Sequence, residues 1–235
     1  MLESLQQLDQ QLLLFLNGFH APFWDSFMWI YTAKWTWVPM YATILYILYK
    51  NFNAYVAIFT VIAIALTITF ADQVCATVIR PLVGRMRPSN VNNPLSEFIH
   101  ILNDKRGGRF GFPSCHSSNS FALAFFVMLF FKKRWLTLFI MLWAVINCYS
   151  RIYSGVHYPG DLLAGLIVGA GGAFLIYYLY RYALRQPKIA QLLKYDKNKE
   201  LIEQPAKIKH TNLTIYAGLI TIALIAVYSL VKLFI

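Results

Sequence analysis

Charged residues are scarce in this chain, and acidic residues are the scarcest. Only 13% of its 235 residues are charged and only 10 are Asp or Glu, whereas 58% are hydrophobic. A soluble domain carries about a quarter charged residues. This shortage excludes an ordinary water-exposed globular surface and predicts that much of the chain faces lipid.

Cysteine is equally sparse and forms no motif for metal or redox chemistry. Cys75, Cys115 and Cys148 lie in or beside apolar segments, and no two of them form a CxxC pair. Cys75 and Cys148 are predicted to be structural thiols. Carboxylates and histidines also show no metal-ligand spacing, so we expect no metal and no cofactor.

The first 22 residues contain no Lys or Arg. Without a basic start, and with Glu3 and Asp9 inside it, this segment does not fit a signal peptide. Apolar residues recur in it at helical spacing: Leu2, Leu5, Leu8, Leu12 and Phe15. We therefore expect an amphipathic helix that lies on the membrane surface.

Six apolar stretches approach the roughly 20 residues that a membrane-spanning helix requires. They are 23–49, 54–80, 114–131, 135–152, 158–183 and 212–235. The first is interrupted at Thr32–Lys34, where we expect a kink or a break. The chain is predicted to be all-α, a single membrane domain over residues 1–235 with about six transmembrane helices. A polar linker, 185–211, precedes the last helix, which we interpret as an additional anchor.

The net charge of +11 comes from basic residues between the apolar runs, so it indicates membrane topology rather than nucleic-acid binding. If six helices alternate, one side receives Lys50, three basic residues at 132–134 and eight between Arg181 and Lys209, twelve of the 21 in total. The positive-inside rule predicts that this side is cytoplasmic. The opposite side receives the loop 81–113, whose arginines break the rule and therefore suggest a function.

Two further patterns carry less weight. Gly165 and Gly169 form a small-residue stripe with the glycines that follow, which predicts close helix packing. His20, His100 and His210 have no partner in the sequence, and we assign them no role.

Three short segments place polar groups at the ends of apolar runs, where membrane helices usually exclude them. The first carries Arg80 and Arg87. A guanidinium matches phosphate oxygens with a planar fork, although arginines at a helix end also snorkel to lipid headgroups. Asp72, about two turns before Arg80, either orients that arginine or contacts a neighbouring helix.

The second segment, Pro113-Ser114-Cys115-His116, opens the third apolar stretch. Pro and Ser before an apolar run predict a helix start, and the free N–H groups of a first turn form an anion site. Ser114 adds a hydroxyl, and His116 can exchange a proton near neutral pH. The alternative is a capped helix with a surface histidine.

The third segment, Ser150 to Asp161, contains Arg151 and His157. Pro159 favours a helix start, which would make His157 and Asp161 neighbours at i, i+4. A carboxylate that holds one imidazole nitrogen leaves the other free as a nucleophile. The alternative is a capping carboxylate with an incidental histidine.

Together the segments resemble the type 2 phosphatidic acid phosphatase family, whose members carry Lys-x6-Arg-Pro, Pro-Ser-Gly-His and Ser-Arg-x5-His-x3-Asp. The corresponding residues are Arg80-x6-Arg87-Pro88, Pro113-Ser114-Cys115-His116 and Ser150-Arg151-x5-His157-x3-Asp161. The resemblance covers about 54–183. Arg80 and Cys115 replace the family's Lys and Gly.

The resemblance implies that His157 attacks phosphorus, that Asp161 orients it, and that His116 protonates the leaving oxygen and later activates water. It also implies a set of groups that hold the phosphate oxygens without a metal: Arg80, Arg87, Ser114, the backbone N–H of Cys115, and Arg151.

The implied function is removal of phosphate from a lipid in the bilayer, at the outer face of the inner (cytoplasmic) membrane of a bacterium. The Asn- and Arg-rich loop 88–112 favours lipid A or undecaprenyl diphosphate over phosphatidylglycerophosphate or phosphatidic acid. A lipid phosphotransferase with the same phosphoenzyme is one alternative. A lipid phosphate transporter without catalysis is another, which the His–Asp pair disfavours. The sequence does not predict the oligomeric state.

Overall fold

The protein is a bundle of α-helices. The computed structural model describes residues 2–234, with only the backbone of Leu2 and Lys197. The helices are α1 (Leu2–Asn17), α2 (Pro22–Tyr31), α3 (Val38–Asn51), α4 (Ala54–Gln73), α5 (Arg80–Val83), α6 (Cys115–Phe131), α7 (Arg134–Tyr153), α8 (Pro159–Arg185), α9 (Pro187–Leu192), α10 (Lys199–Glu203) and α11 (Asn212–Val231). A π-helical turn, Val74–Ile79, joins α4 to α5.

Four helical segments in the described chain are long and apolar enough to cross a bilayer. They are Ala54–Val83, Arg134–Tyr153, Pro159–Arg185 and Asn212–Val231. The apolar helix α6 is shorter, at 17 residues. The prediction of an all-α, multi-pass membrane bundle is confirmed.

The first predicted span, 23–49, consists of two helices. α2 ends at Tyr31, and a 3₁₀ turn, Lys34–Trp37, separates it from α3. The Thr36 hydroxyl donates to the carbonyl of Ile30 at 2.7 Å, and the Trp37 indole N–H donates to that of Tyr31 at 2.8 Å. Side chains of the 3₁₀ turn thus bind carbonyls at the end of α2, and the expected interruption is a complete break.

α6 lies at the centre of the bundle, against α4, α7 and α8. The glycines of α8 permit a close approach to α6, because a Cβ on Gly165 would lie 2.5 Å from the Ser114 carbonyl oxygen. The Ser114 N–H donates to the carbonyl of Asp161 at 3.0 Å, and the Ser117 hydroxyl donates to that of Leu162 at 2.6 Å. The predicted small-residue packing therefore joins the starts of α6 and α8, which carry the second and third polar segments.

The basic loops meet at the other end of the bundle. The Asn53 amide donates to the carbonyls of Leu193 and Lys194 at 3.2 and 3.1 Å, and the Lys133 ammonium donates to that of Ala206 at 2.6 Å. The loops near 50, 132–134 and 181–209 are thus separated from the three polar segments by the length of the helices.

α1 packs at the end that holds the polar segments. Leu13 and Asn17 are buried, and the Asn17 amide donates to the carbonyls of His100, Ile152 and Tyr153 at 2.9–3.0 Å. An apolar stripe on another face is at least 41% exposed: Leu5, Leu8, Leu12 and Phe15. α1 is therefore amphipathic, as its spacing predicted.

Candidate active site

The three polar segments converge at one end of the bundle. Arg80 opens α5, and Gly84 ends that helix in the left-handed conformation, with φ of 60°, which favours glycine. The following loop closes on itself, because the Arg87 N–H donates to the carbonyl of Arg109 at 3.1 Å and the Gly111 N–H donates to that of Arg85 at 2.9 Å. This closure brings Arg87 to the start of α8.

His157 and Asp161 form a buried pair. His157 precedes Tyr158, the N-cap residue of α8, and so lies just outside the helix, which begins at Pro159. Asp161 Oδ2 accepts the Tyr158 N–H at 3.1 Å and lies 3.2 Å from His157 Nδ1. The capping carboxylate and the partner of the imidazole are therefore the same group.

The contacts of the imidazole define its tautomer. Arg87 Nη1 lies 2.7 Å from His157 Nε2 and also donates to the carbonyl of Val156 at 3.1 Å. Arg87 has only donors, so Nε2 is the acceptor and Nδ1 carries the proton that faces Asp161. Burial lowers the pKa of His157 well below its usual range, and the charges of Arg87 and Arg151 lower it further. The side chain is thus a neutral imidazole with its lone pair on Nε2.

Arg80 and Arg151 have hydrogen-bonding capacity that the described residues do not use. Arg80 Nη2 lies 2.9 Å from both the Pro113 carbonyl oxygen and Cys115 Sγ, and Arg151 Nη1 donates to the Thr32 hydroxyl at 3.0 Å. The Nε of each guanidinium is buried without a partner among residues 2–234. A buried, unsatisfied donor costs about 1–3 kcal/mol, so both atoms favour an incoming anion.

Ser114 and Cys115 begin α6 beside these arginines. Ser114 is fully buried and is the N-cap, where its oxygen accepts the Ser117 N–H at 3.5 Å. That bond uses the oxygen as an acceptor and leaves the hydroxyl proton for a ligand. Cys115 is a free, partly buried thiol that contacts Arg80. The two departures from the family pattern thus touch each other.

His116 lies in the first turn of α6 and lines a cavity of about 570 Å³. Most of the wall is apolar and comes from α3, α4, α6 and α7, while Thr32 and Lys34 also line the cavity. Thr32 is the residue that Arg151 contacts. The cavity therefore connects the polar site to an apolar space within the bundle.

Arg85 belongs to the site, although the sequence analysis gave it no specific role. Its Nη1 donates to Asp161 Oδ1 at 3.1 Å, its Nη2 donates to Asp9 Oδ2 at 2.7 Å, and its guanidinium stacks over the Tyr158 ring at 3.8 Å. The available signal was a basic residue in a loop expected outside the cytoplasm. Gly111 was also missed: a Cβ there would lie 3.0 Å from Asp161 Oδ2.

Asp72 pairs with a neighbouring helix and not with Arg80. Its Oδ1 accepts the Asn119 amide at 2.8 Å, which decides between the two interpretations of Asp72. His100, to which we assigned no role, lies 3.1 Å from Asp25. Within residues 2–234, no group of three or more His, Cys, Asp or Glu side chains is arranged to hold a metal ion. Metal independence stays a prediction.

Comparison with known proteins identifies the family. Residues 55–185 match the PAP2 superfamily. A lipid A 4′-phosphatase from Bacteroides thetaiotaomicron is 53% identical over 99% of this chain and 100% of its own length. A lipid A 4′-phosphatase from Porphyromonas gingivalis is 33% identical over 77% of each chain. An undecaprenyl-diphosphatase from Sulfolobus acidocaldarius is 28% identical over 62% of this chain and 64% of its own. No solved structure matches the chain.

The chain therefore belongs to the PAP2 superfamily and is a multi-pass membrane lipid phosphatase. The family resemblance inferred from the three segments is confirmed.

Proposed function

We propose that the protein hydrolyses the 4′-phosphate of lipid A through a phosphohistidine intermediate. The observation that carries the choice of substrate is the extent of similarity to the lipid A 4′-phosphatase of B. thetaiotaomicron. That similarity covers 99% of this chain, and therefore reaches well beyond the superfamily domain at 55–185. The similarity to the undecaprenyl-diphosphatase covers only 62%.

In the first step, His157 Nε2 attacks phosphorus and the bond from phosphorus to the ester oxygen breaks. The bound phosphate replaces His157 Nε2 as the acceptor of the Arg87 N–H, which frees the Nε2 lone pair. Asp161 stabilises the positive charge that develops on the imidazole. His116 enters the step as an imidazolium, which the negative charge of the bound phosphate stabilises, and it donates its proton to the departing oxygen. The products are the dephosphorylated lipid, with a new hydroxyl, and phosphohistidine.

In the second step, water attacks the phosphohistidine. His116, now neutral, takes a proton from the water as the P–N bond breaks, and inorganic phosphate leaves. Five groups hold the equatorial oxygens in both steps: Arg80, Arg87, Arg151, the Ser114 hydroxyl and the Cys115 N–H. The unpartnered Nε atoms of Arg80 and Arg151 support this assignment, because fixed donors stabilise the charge that develops in the transition state.

The cavity beside His116 supports a lipid substrate. Its apolar walls suit an acyl chain, and His116 lines the same cavity, next to the position proposed for the leaving oxygen. We further propose that the site faces the periplasm, because the basic loops that favour the cytoplasm lie at the other end of the bundle. α1 then rests on the outer surface of the inner membrane.

A substrate panel tests the proposal. Purified protein in detergent is offered lipid A, undecaprenyl diphosphate, phosphatidylglycerophosphate and phosphatidic acid, and phosphate release gives kcat/KM for each. We expect lipid A to exceed the others by at least about tenfold, and mass spectrometry to show loss of the 4′-phosphate. A preference for undecaprenyl diphosphate would refute the substrate and leave the chemistry intact.

A further inference from the structure

The N-terminal helix places a carboxylate next to the proposed catalytic pair. Asp9 Oδ2 accepts Arg85 Nη2 at 2.7 Å, and its Oδ1 accepts the Gly160 N–H, in the first turn of α8, at 2.7 Å. The Asp9 side chain is 13% exposed and that of Asp161 is fully buried. Arg85 therefore lies between two carboxylates, one from α1 and one from α8.

α1 is held firmly enough to position a side chain. Asn17 at its end binds the loop that contains His100 and the last turn of α7. The buried Leu13 lies between Asn17 and Asp9 at i, i+4 spacing. Asp9, Leu13 and Asn17 thus share the face that contacts the protein.

We propose that Asp9 is a positioning residue of the active site, which acts through Arg85 to hold Asp161 against His157. The inference rests on the nucleophile proposed above. It gives α1 a role in turnover. The three family segments all lie later in the chain and do not include α1.

The physical reason is the geometry of the guanidinium fork. Arg85 binds Asp161 with one terminal nitrogen and Asp9 with the other, and its Cζ lies 3.8 Å from the centroid of the Tyr158 ring. Loss of the Asp9 charge leaves Arg85 anchored on one side only and increases the net positive charge beside Asp161. Both changes weaken the support that Asp161 gives to a developing imidazolium, which lowers kcat. Asp9 does not contact the groups proposed to bind phosphate, so KM changes little.

The test is a double-mutant cycle on the full-length enzyme in detergent, with whichever lipid phosphate the wild type hydrolyses fastest. The variants are Asp9→Asn, Arg85→Gln and the double substitution, with Glu3→Gln as the control that removes an exposed carboxylate from the same helix. We expect Asp9→Asn to lower kcat by about tenfold, as loss of an outer-shell partner typically does, with KM within about twofold. The double variant should match Arg85→Gln alone, because an Asn amide oxygen can still accept the Gly160 N–H and Asp9→Asn therefore removes only the contact with Arg85.

Wild-type kcat in Asp9→Asn, or multiplicative losses in the double variant, would overturn the proposal. If Asp9→Asn does not elute as a folded protein, Arg85→Lys replaces it, since one ammonium cannot fork to both carboxylates. Wild-type kcat in Arg85→Lys would then be the contrary result. Turnover by His157→Ala would instead refute the proposed nucleophile, so the two failures are distinguishable.

Discussion

Replacement of Asp161 by Asn tests whether the Asp161 carboxylate controls the tautomer of the proposed nucleophile, His157. The carboxylate is fully buried and receives three contacts, from Arg85 Nη1, the Tyr158 N–H and His157 Nδ1, at 3.1–3.2 Å. Asn has the same shape, and its amide oxygen can accept one or two of those donors. The amide nitrogen cannot accept, so a proton on Nδ1 of His157 is disfavoured when the NH₂ group takes the place of Oδ2.

The expected magnitude follows from the tautomer. If the substituted amide faces the imidazole with its NH₂ group, the ring proton moves to Nε2 and the nucleophilic lone pair is lost. In a Ser-His-Asp triad, the equivalent change lowers kcat by about 10⁴. Here Arg87 Nη1, 2.7 Å from Nε2, opposes a proton on that nitrogen. We therefore expect a decrease of about 10³–10⁴ in kcat, or roughly 4–5.5 kcal/mol.

The assay measures phosphate release from lipid A in detergent, together with acid-labile phosphohistidine after a rapid quench with ³²P-labelled substrate. Asp25→Asn is the matched control, because Asp25 also pairs with a histidine, His100 at 3.1 Å, at the same end of the bundle. It should retain activity within about threefold. If Asp161→Asn kept more than about a tenth of wild-type kcat, Asp161 would not control the tautomer of the nucleophile.

The remaining predictions concern metal, pH and topology. Activity should survive excess EDTA, and vanadate should inhibit by imitating five-coordinate phosphorus; a strict requirement for added Mg²⁺ would contradict the site. Because burial and the neighbouring arginines lower the pKa of His157, the nucleophile stays neutral in mild acid. The acidic limb of the kcat/KM profile should therefore lie below about pH 6.5, the ordinary histidine value, and a limb above it would contradict this assignment. The topology is tested in a variant without Cys115 and the other native cysteines. In spheroplasts, a cysteine at the exposed Asn92 should react with an impermeant thiol reagent, whereas one at the exposed Lys199 should not. The reverse labelling pattern would contradict the proposed orientation.

Much of the bundle could be predicted from local pattern because a bilayer constrains a helix strongly. A helix that crosses it must be apolar for about 20 residues and must form its backbone hydrogen bonds internally. Both requirements can be recognised in the sequence as long apolar runs. The break in the first apolar stretch was visible at Thr32–Lys34. That it is complete depends on Thr36 and Trp37, whose donation to carbonyls of α2 required three-dimensional placement.

The sequence by itself identified the family and predicted His157 and Asp161 as a pair, because Pro159 favours a helix start between them and so keeps the two residues close in space. It could not identify Asp9, which is 152 positions before Asp161 in the sequence, or decide whether Asp72 orients Arg80. Those contacts join helices that are distant along the chain. They depend on how α1 packs against α8 and on which residue of α6 lies opposite Asp72 of α4. The tertiary structure decided them, because only packing fixes which buried charges share a partner.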